Sequence, residues 1–103
     1  LLLAALALCC TPAFAEEGWI DLFNGRDLSG WKINENGKGQ FKVENGAIVA
    51  SGDRAHLFYT EREFKDFVFE GEVKTTPGSN SGIYFHTDYQ EEGWPATGHE
   101  VQV

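Results

Sequence analysis

Short runs of alternating apolar and polar residues, cut every few positions by Gly, Asn and Asp, constrain this chain more than any other feature. Asn24-Gly25, Glu44-Asn45-Gly46, Ser51-Gly52-Asp53-Arg54 and Thr76-Pro77-Gly78-Ser79 are turn signals. The segments between them are too short for most helices and repeat with a period of two. Strands are expected from Gly18 to Phe23, over Phe41-Lys42-Val43 and Ala47-Ile48-Val49, and from Leu57 to Thr60. Phe67 to Lys74 alternates well, and so do Ile83 to His86 and His99 to Val103. Between the first of these, Asp27 to Trp31 reads as a loop that tucks Leu28 and Trp31 inward, and Asn34 to Gly39 as a polar turn. Glu61 to Asp66 offers at most one turn of helix. About seven short strands at this spacing argue for an all-β antiparallel sandwich or barrel.

The chain opens without Met and stops at Val103 inside an alternating pattern, so it is expected to be the N-terminal part of a longer protein, with strands that complete the sheets lying beyond it. A domain reduced to residues 16–103 would bury only a modest core and expose sheet edges. Residues 1–15 form an apolar run ending in Ala13-Phe14-Ala15, the small-x-small pattern of a signal-peptidase site. The run falls short of the roughly 20 residues that a membrane span needs. Cleavage after Ala15 and a secreted or periplasmic destination are therefore expected. Cys9 and Cys10 both fall inside this leader. Leu8 is a poor predecessor for a lipid-anchored Cys9, so the mature chain carries no cysteine, disulfide or thiolate metal site.

The formal net charge of −8 excludes the basic face that nucleic acid or an anionic bilayer requires. The acidic loop residues Asp88, Glu91 and Glu92 could offer oxygens to a divalent cation, but their spacing matches no calcium loop and solvated charges explain them better. No residue pattern selects a cofactor or fixes an oligomeric state.

The stretch from Asn80 to Val103 concentrates the chemistry. If its two strands are neighbours, Tyr84, His86, Glu100 and Gln102 converge on one wall, with Trp94 in the joining loop. A carboxylate, an imidazole, an amide and aromatic faces around a hollow suit a sugar. Glu100 lies between apolar neighbours within a strand and is the first candidate for catalysis, with His86 second. Gln102, Tyr84, Trp94 and Asp88 are candidate substrate contacts. His99 points opposite to Glu100 and is expected to pack or line a rim. Trp94 would stack on a sugar ring or cap the sandwich.

Three pieces carry a family resemblance: Leu22-Phe23-Asn24-Gly25-Arg26-Asp27-Leu28-Ser29-Gly30-Trp31, then Phe41-Lys42-Val43-Glu44-Asn45-Gly46-Ala47-Ile48, then Asn80-Ser81-Gly82-Ile83-Tyr84-Phe85 with Gly98-His99-Glu100-Val101-Gln102-Val103. In this order and spacing they resemble the 3-keto-disaccharide hydrolase domain family. The resemblance implies a concanavalin-like jelly roll of two antiparallel sheets, often exported, that acts on oxidised sugars. Many members of that family carry Arg in place of His86 and Tyr or Phe in place of His99.

A conventional glycosidase needs two carboxylates across the scissile bond, whereas the position two along from Glu100 holds the amide of Gln102. A 3-keto sugar relaxes that requirement. Its ketone acidifies the C2 hydrogen, so one base can form an enolate, the C1 substituent leaves by elimination, and water adds to complete a hydrolysis. That route needs one base, a donor at the ketone oxygen and a proton for the leaving group. Glu100 is expected as base or acid and His86 as polarising or proton-transfer group, with the residues up to Val103 inactive by themselves. A lectin-like binding module with the same sandwich and no turnover is the alternative.

Overall fold

A computed structural model describes residues 18–34 and 39–103; the leader with Cys9 and Cys10, and most of the polar turn after Asn34, lie outside the described residues. Among the described residues, six strands form three antiparallel two-stranded ladders and there is no helix. The strands are β1 (Trp31–Ile33), β2 (Gly39–Glu44), β3 (Ala47–Gly52), β4 (Leu57–Tyr59), β5 (Gly82–Phe85) and β6 (His99–Gln102). β1 pairs with β4, β2 with β3, and β5 with β6. The antiparallel all-β class expected from the sequence is therefore the class observed.

The β2–β3 hairpin follows directly from its turn. Asn45 and Gly46 take φ of 51° and 76°, both positive, as a two-residue turn matched to strand twist requires. The register then pairs Val43 with Ile48 and Phe41 with Ala50, so the half-buried Phe41, Val43 and Ile48 share one face. Lys42 and Glu44 face outward and form an exposed ion pair at 2.9 Å, worth less than about 1 kcal/mol.

β1 and β4 pair across this hairpin, with Trp31 opposite Tyr59, Lys32 opposite Phe58 and Ile33 opposite Leu57. Trp31 was expected in a loop; it opens β1 because its ring packs edge-on against Tyr59 with centroids 5.2 Å apart. Its indole N–H donates to the Leu22 carbonyl at 2.7 Å and fastens the preceding segment. Thr60 N–H to Gly30 O and Asn34 N–H to His56 O, each 3.0 Å, extend the ladder at both ends. Upstream, the Asn24 side-chain oxygen accepts from the backbone of Arg26 and Asp27, while the Asp27 carboxylate accepts from Asn24 and Ser29. These bonds hold Asp27 below the ordinary carboxylate range, the Asn24 bond most of all.

Three expectations fail. Residues 18–23 form no strand, residues 67–74 run without a ladder, and residues 61–66 bend instead of coiling. A strand exists by pairing, and no described segment forms a ladder with residues 18–23 or 67–74. Phe67, Phe69 and Val73 consequently stay exposed at 40, 48 and 52% in spite of their alternation. At Asp66, φ of 54° breaks any helical turn. Phe58 on β4, 8% exposed, is the buried apolar centre of the described residues, and Asn34 beside it is 2% exposed.

Candidate functional site

The β5–β6 ladder sets the wall. Its register places Tyr84 opposite Glu100 and Gly82 opposite Gln102, while Phe85 faces His99 and Ile83 faces Val101. Alternation then puts Gly82, Tyr84, Glu100 and Gln102 on one face. The bond from Val103 N–H to Ser81 O, 3.0 Å, carries the pairing one step further. Gly82 is required on this wall by close approach. A Cβ there would stand 2.8 Å from both Cγ and Cδ of Glu100, so the glutamate chain lies back across the bare glycine. The Gln102 amide donates to the Asn80 side-chain oxygen at 2.7 Å, which ties that end of the wall to the loop launching β5.

His86 does not join this wall. Its φ of 56° places it in the left-handed region, outside β5, and period-two alternation stops at Phe85. The imidazole packs against Phe85 and Phe67, each with ring centroids 5.5 Å away, on the apolar side. Gly98 seals this reversal. With φ of 88°, it lies against the His86 carbonyl, where a Cβ would come within 2.7 Å of the oxygen. His99 packs on Phe85 with centroids 5.5 Å apart.

A different histidine meets the wall. His56 immediately precedes β4, and its ring lies edge-on to Tyr84 at 6.1 Å and to Trp94 at 5.1 Å. No sequence motif marks it. The available signal is an imidazole two residues before Phe58 on an apolar strand face. Burial depresses the basicity of His56, and the Arg54 charge depresses it further, against an opposing pull from Glu100. Its neutral form is thus favoured at neutral pH. Tyr84 shifts the other way: burial, then the Glu100 charge, then a side-chain hydrogen bond to Glu100, raise its pKa above the ordinary phenol value. The phenol therefore stays a proton donor beside a carboxylate whose charge reaches both neighbours.

Trp94 is 56% exposed, with the Arg54 guanidinium 5.8 Å from its ring centroid. Gln90 shapes the loop that presents it. The Gln90 amide donates to the carbonyls of Glu92 at 2.9 Å and Trp94 at 2.6 Å, and accepts from Ala96 N–H at 2.9 Å. Asp88 sits at the loop's other end, exposed, its backbone N–H donating to Thr97 Oγ1 at 3.1 Å. Among the described residues no group of three His, Cys, Asp or Glu side chains could hold a metal ion.

The structure thus brings Tyr84, Glu100 and Trp94 to His56, keeps Gln102 two residues along the same strand face as Glu100, and leaves His86 and Asp88 outside that group. Among the described residues, no helix is long and apolar enough to cross a membrane.

Comparison with known proteins gives two findings. The model of the 3-keto-alpha-glucoside-1,2-lyase-like domain matches residues 18–103. A protein of Bacteroides thetaiotaomicron named 3-keto-disaccharide hydrolase is 30% identical over 80 residues, covering 67% of this chain. The aligned part is 27% of that relative's length, so the chain spans about a quarter of it. No solved structure matches.

Proposed function

The chain belongs to the 3-keto-alpha-glucoside-1,2-lyase-like domain family, and from that membership we propose that its protein cleaves 3-keto-disaccharides and related 3-keto-glycosides. The single observation that carries the proposal is the Tyr84–Glu100 pair laid directly across the β5–β6 ladder with His56 against it. Glu100 is the carboxylate base, Tyr84 the donor, and His56 takes the imidazole role that His86 is not placed to fill.

The steps balance with these groups. Glu100 takes the C2 proton, and the electron pair moves onto the ketone oxygen, which the un-ionised Tyr84 hydroxyl stabilises. The enolate expels the C1 substituent, whose oxygen receives the proton that Glu100 holds. Water then adds to C1 of the resulting enone while neutral His56 takes its proton, and the imidazolium returns that proton to C2. The sum is hydrolysis. Trp94 offers a face for a sugar ring, and Gln102 an amide carbonyl for a hydroxyl. Export after cleavage at Ala15 and a concanavalin-like jelly roll complete the proposal; a mature N-terminus at Glu16, read by mass spectrometry, tests the first.

The function is tested with the full-length protein and 3-keto-trehalose or 3-keto-lactose. Released hexose is expected, and Glu100→Gln should lower turnover at least about 10²-fold while leaving the melting curve in place. Turnover unchanged in that variant removes Glu100 from the reaction. The exposed Trp94 ring also suits a binding module; sugar bound without release selects that reading instead.

A further inference from the structure

Two buried polar atoms that the reaction leaves unused lie beneath the loop of residues 87–98. Asn34 directly follows β1, and its N–H bond to the His56 carbonyl adds one more pair to the β1–β4 ladder. Residues paired this way send side chains to the same face, with Cβ atoms about 4.5–5.5 Å apart. The neighbouring pair on that face is Lys32 and Phe58, and both meet the Tyr89 ring. Gly93 and Trp94 of the same loop cover Asn34 and His56. One loop thus roofs both side chains.

The Asn34 amide N–H donates to the Gly93 carbonyl at 3.4 Å, which fixes the amide and directs Oδ1 elsewhere. That Oδ1 is buried and has no hydrogen-bond partner among the described residues. His56 Nδ1 is buried and unpartnered in the same way. A desolvated acceptor and a desolvated ring nitrogen are each costly alone. A single water accepting from one and donating to the other would satisfy both, and such buried waters need two to four polar partners.

We propose that Asn34 is a positioning residue for His56, its Oδ1 holding the Nδ1 proton of the neutral imidazole through one buried water and so leaving Nε2 as the basic nitrogen. The inference rests on the function assigned to His56 above and supplies what that function lacks, a device that selects one tautomer. A neutral imidazole has two, and an orienting hydrogen bond to one nitrogen decides which nitrogen can accept a proton. Asn34 acts only through His56; it is placed to touch the ring's partner, not the sugar.

The test is the nitrogen-15 spectrum of the full-length protein labelled at histidine, recorded without substrate at a pH where His56 is neutral. The expected result is the Nδ1–H tautomer. Asn34→Leu, branched at the same carbon but without the acceptor, should shift the population toward Nε2–H and lower kcat about 10²-fold with KM nearly unchanged. Asn34→Asp, which keeps an acceptor, should retain Nδ1–H and recover most of kcat. Nε2–H as the main wild-type form, or a tautomer that Asn34→Leu does not alter, overturns the proposal. Should Asn34→Leu fail to fold, the wild-type and Asn34→Asp spectra decide. Because the tautomer is read without turnover, an inactive protein with the expected spectrum refutes the reaction and not the role of Asn34.

Discussion

Replacing Gly82 by Ala should separate the stability of this fold from its chemistry. Gly82 lies inside β5 without positive φ, so an alanine suits its backbone and by itself gains about 0.5–1 kcal/mol over glycine. The obstacle is the Glu100 side chain. A methyl group at residue 82 would stand 2.8 Å from its Cγ and Cδ, inside any tolerable contact, so the carboxylate must swing away from Tyr84. Glu100 is exposed, so the swing costs at most about 0.5–1.5 kcal/mol of rotamer strain. The two contributions nearly cancel, and the melting temperature should move by no more than a few degrees. Catalysis has no such compensation: a displacement of about 1 Å in a positioned group can cost about 10²-fold in rate. The assay pairs thermal unfolding by circular dichroism with hexose release from a 3-keto-disaccharide. Full turnover in a normally folded Gly82→Ala would show that the place Glu100 occupies over Gly82 does not matter, and the reasoning would fail.

Other outcomes follow from the same geometry. His56 should titrate below the ordinary histidine value of about 6.5, because burial and Arg54 disfavour its charged form. Its depressed folded-state pKa gives stability that is present above about 6.5 and lost as pH falls through the folded value. An NMR titration with its midpoint at or above that value contradicts this, and Trp94→Ala, by opening the ring to water, should raise the midpoint. Gly46→Ala should destabilise the fold by about 1–2 kcal/mol in denaturant unfolding, since φ of 76° is costly for a residue with a Cβ. The same variant should leave turnover unchanged, as the β2–β3 turn does not adjoin the β5–β6 wall.

The parts legible in the sequence are those fixed by local chemistry. Asn45-Gly46 dictates its own hairpin, because few other pairs accept two positive φ angles. Period-two alternation was enough to put Tyr84 and Glu100 on one face, and the family was legible in the same stretch together with the Asn24 and Glu44–Ile48 turns. Alternation failed where the backbone left it. One left-handed residue, His86, turns its ring into the Phe67 and Phe85 cluster, and nothing in the spacing of histidines forecasts a φ of 56°. His56 escaped notice for a different reason. Its place at the wall depends on β4 pairing with β1 across an intervening hairpin and on a loop some forty residues later, both non-local. The segment from Phe67 to Lys74 has the pattern of a strand and lacks a described partner, which pattern alone cannot supply.

The most direct measurement follows the hydrogen on C2. The full-length protein is incubated with a 3-keto-disaccharide in deuterium oxide, and the released 3-keto-hexose is examined by NMR against an enzyme-free control. Proton abstraction by Glu100 requires deuterium at C2 of the product, with both exchange and release lost in Glu100→Gln. Hexose released with its C2 proton intact, or exchange undiminished in Glu100→Gln, contradicts it.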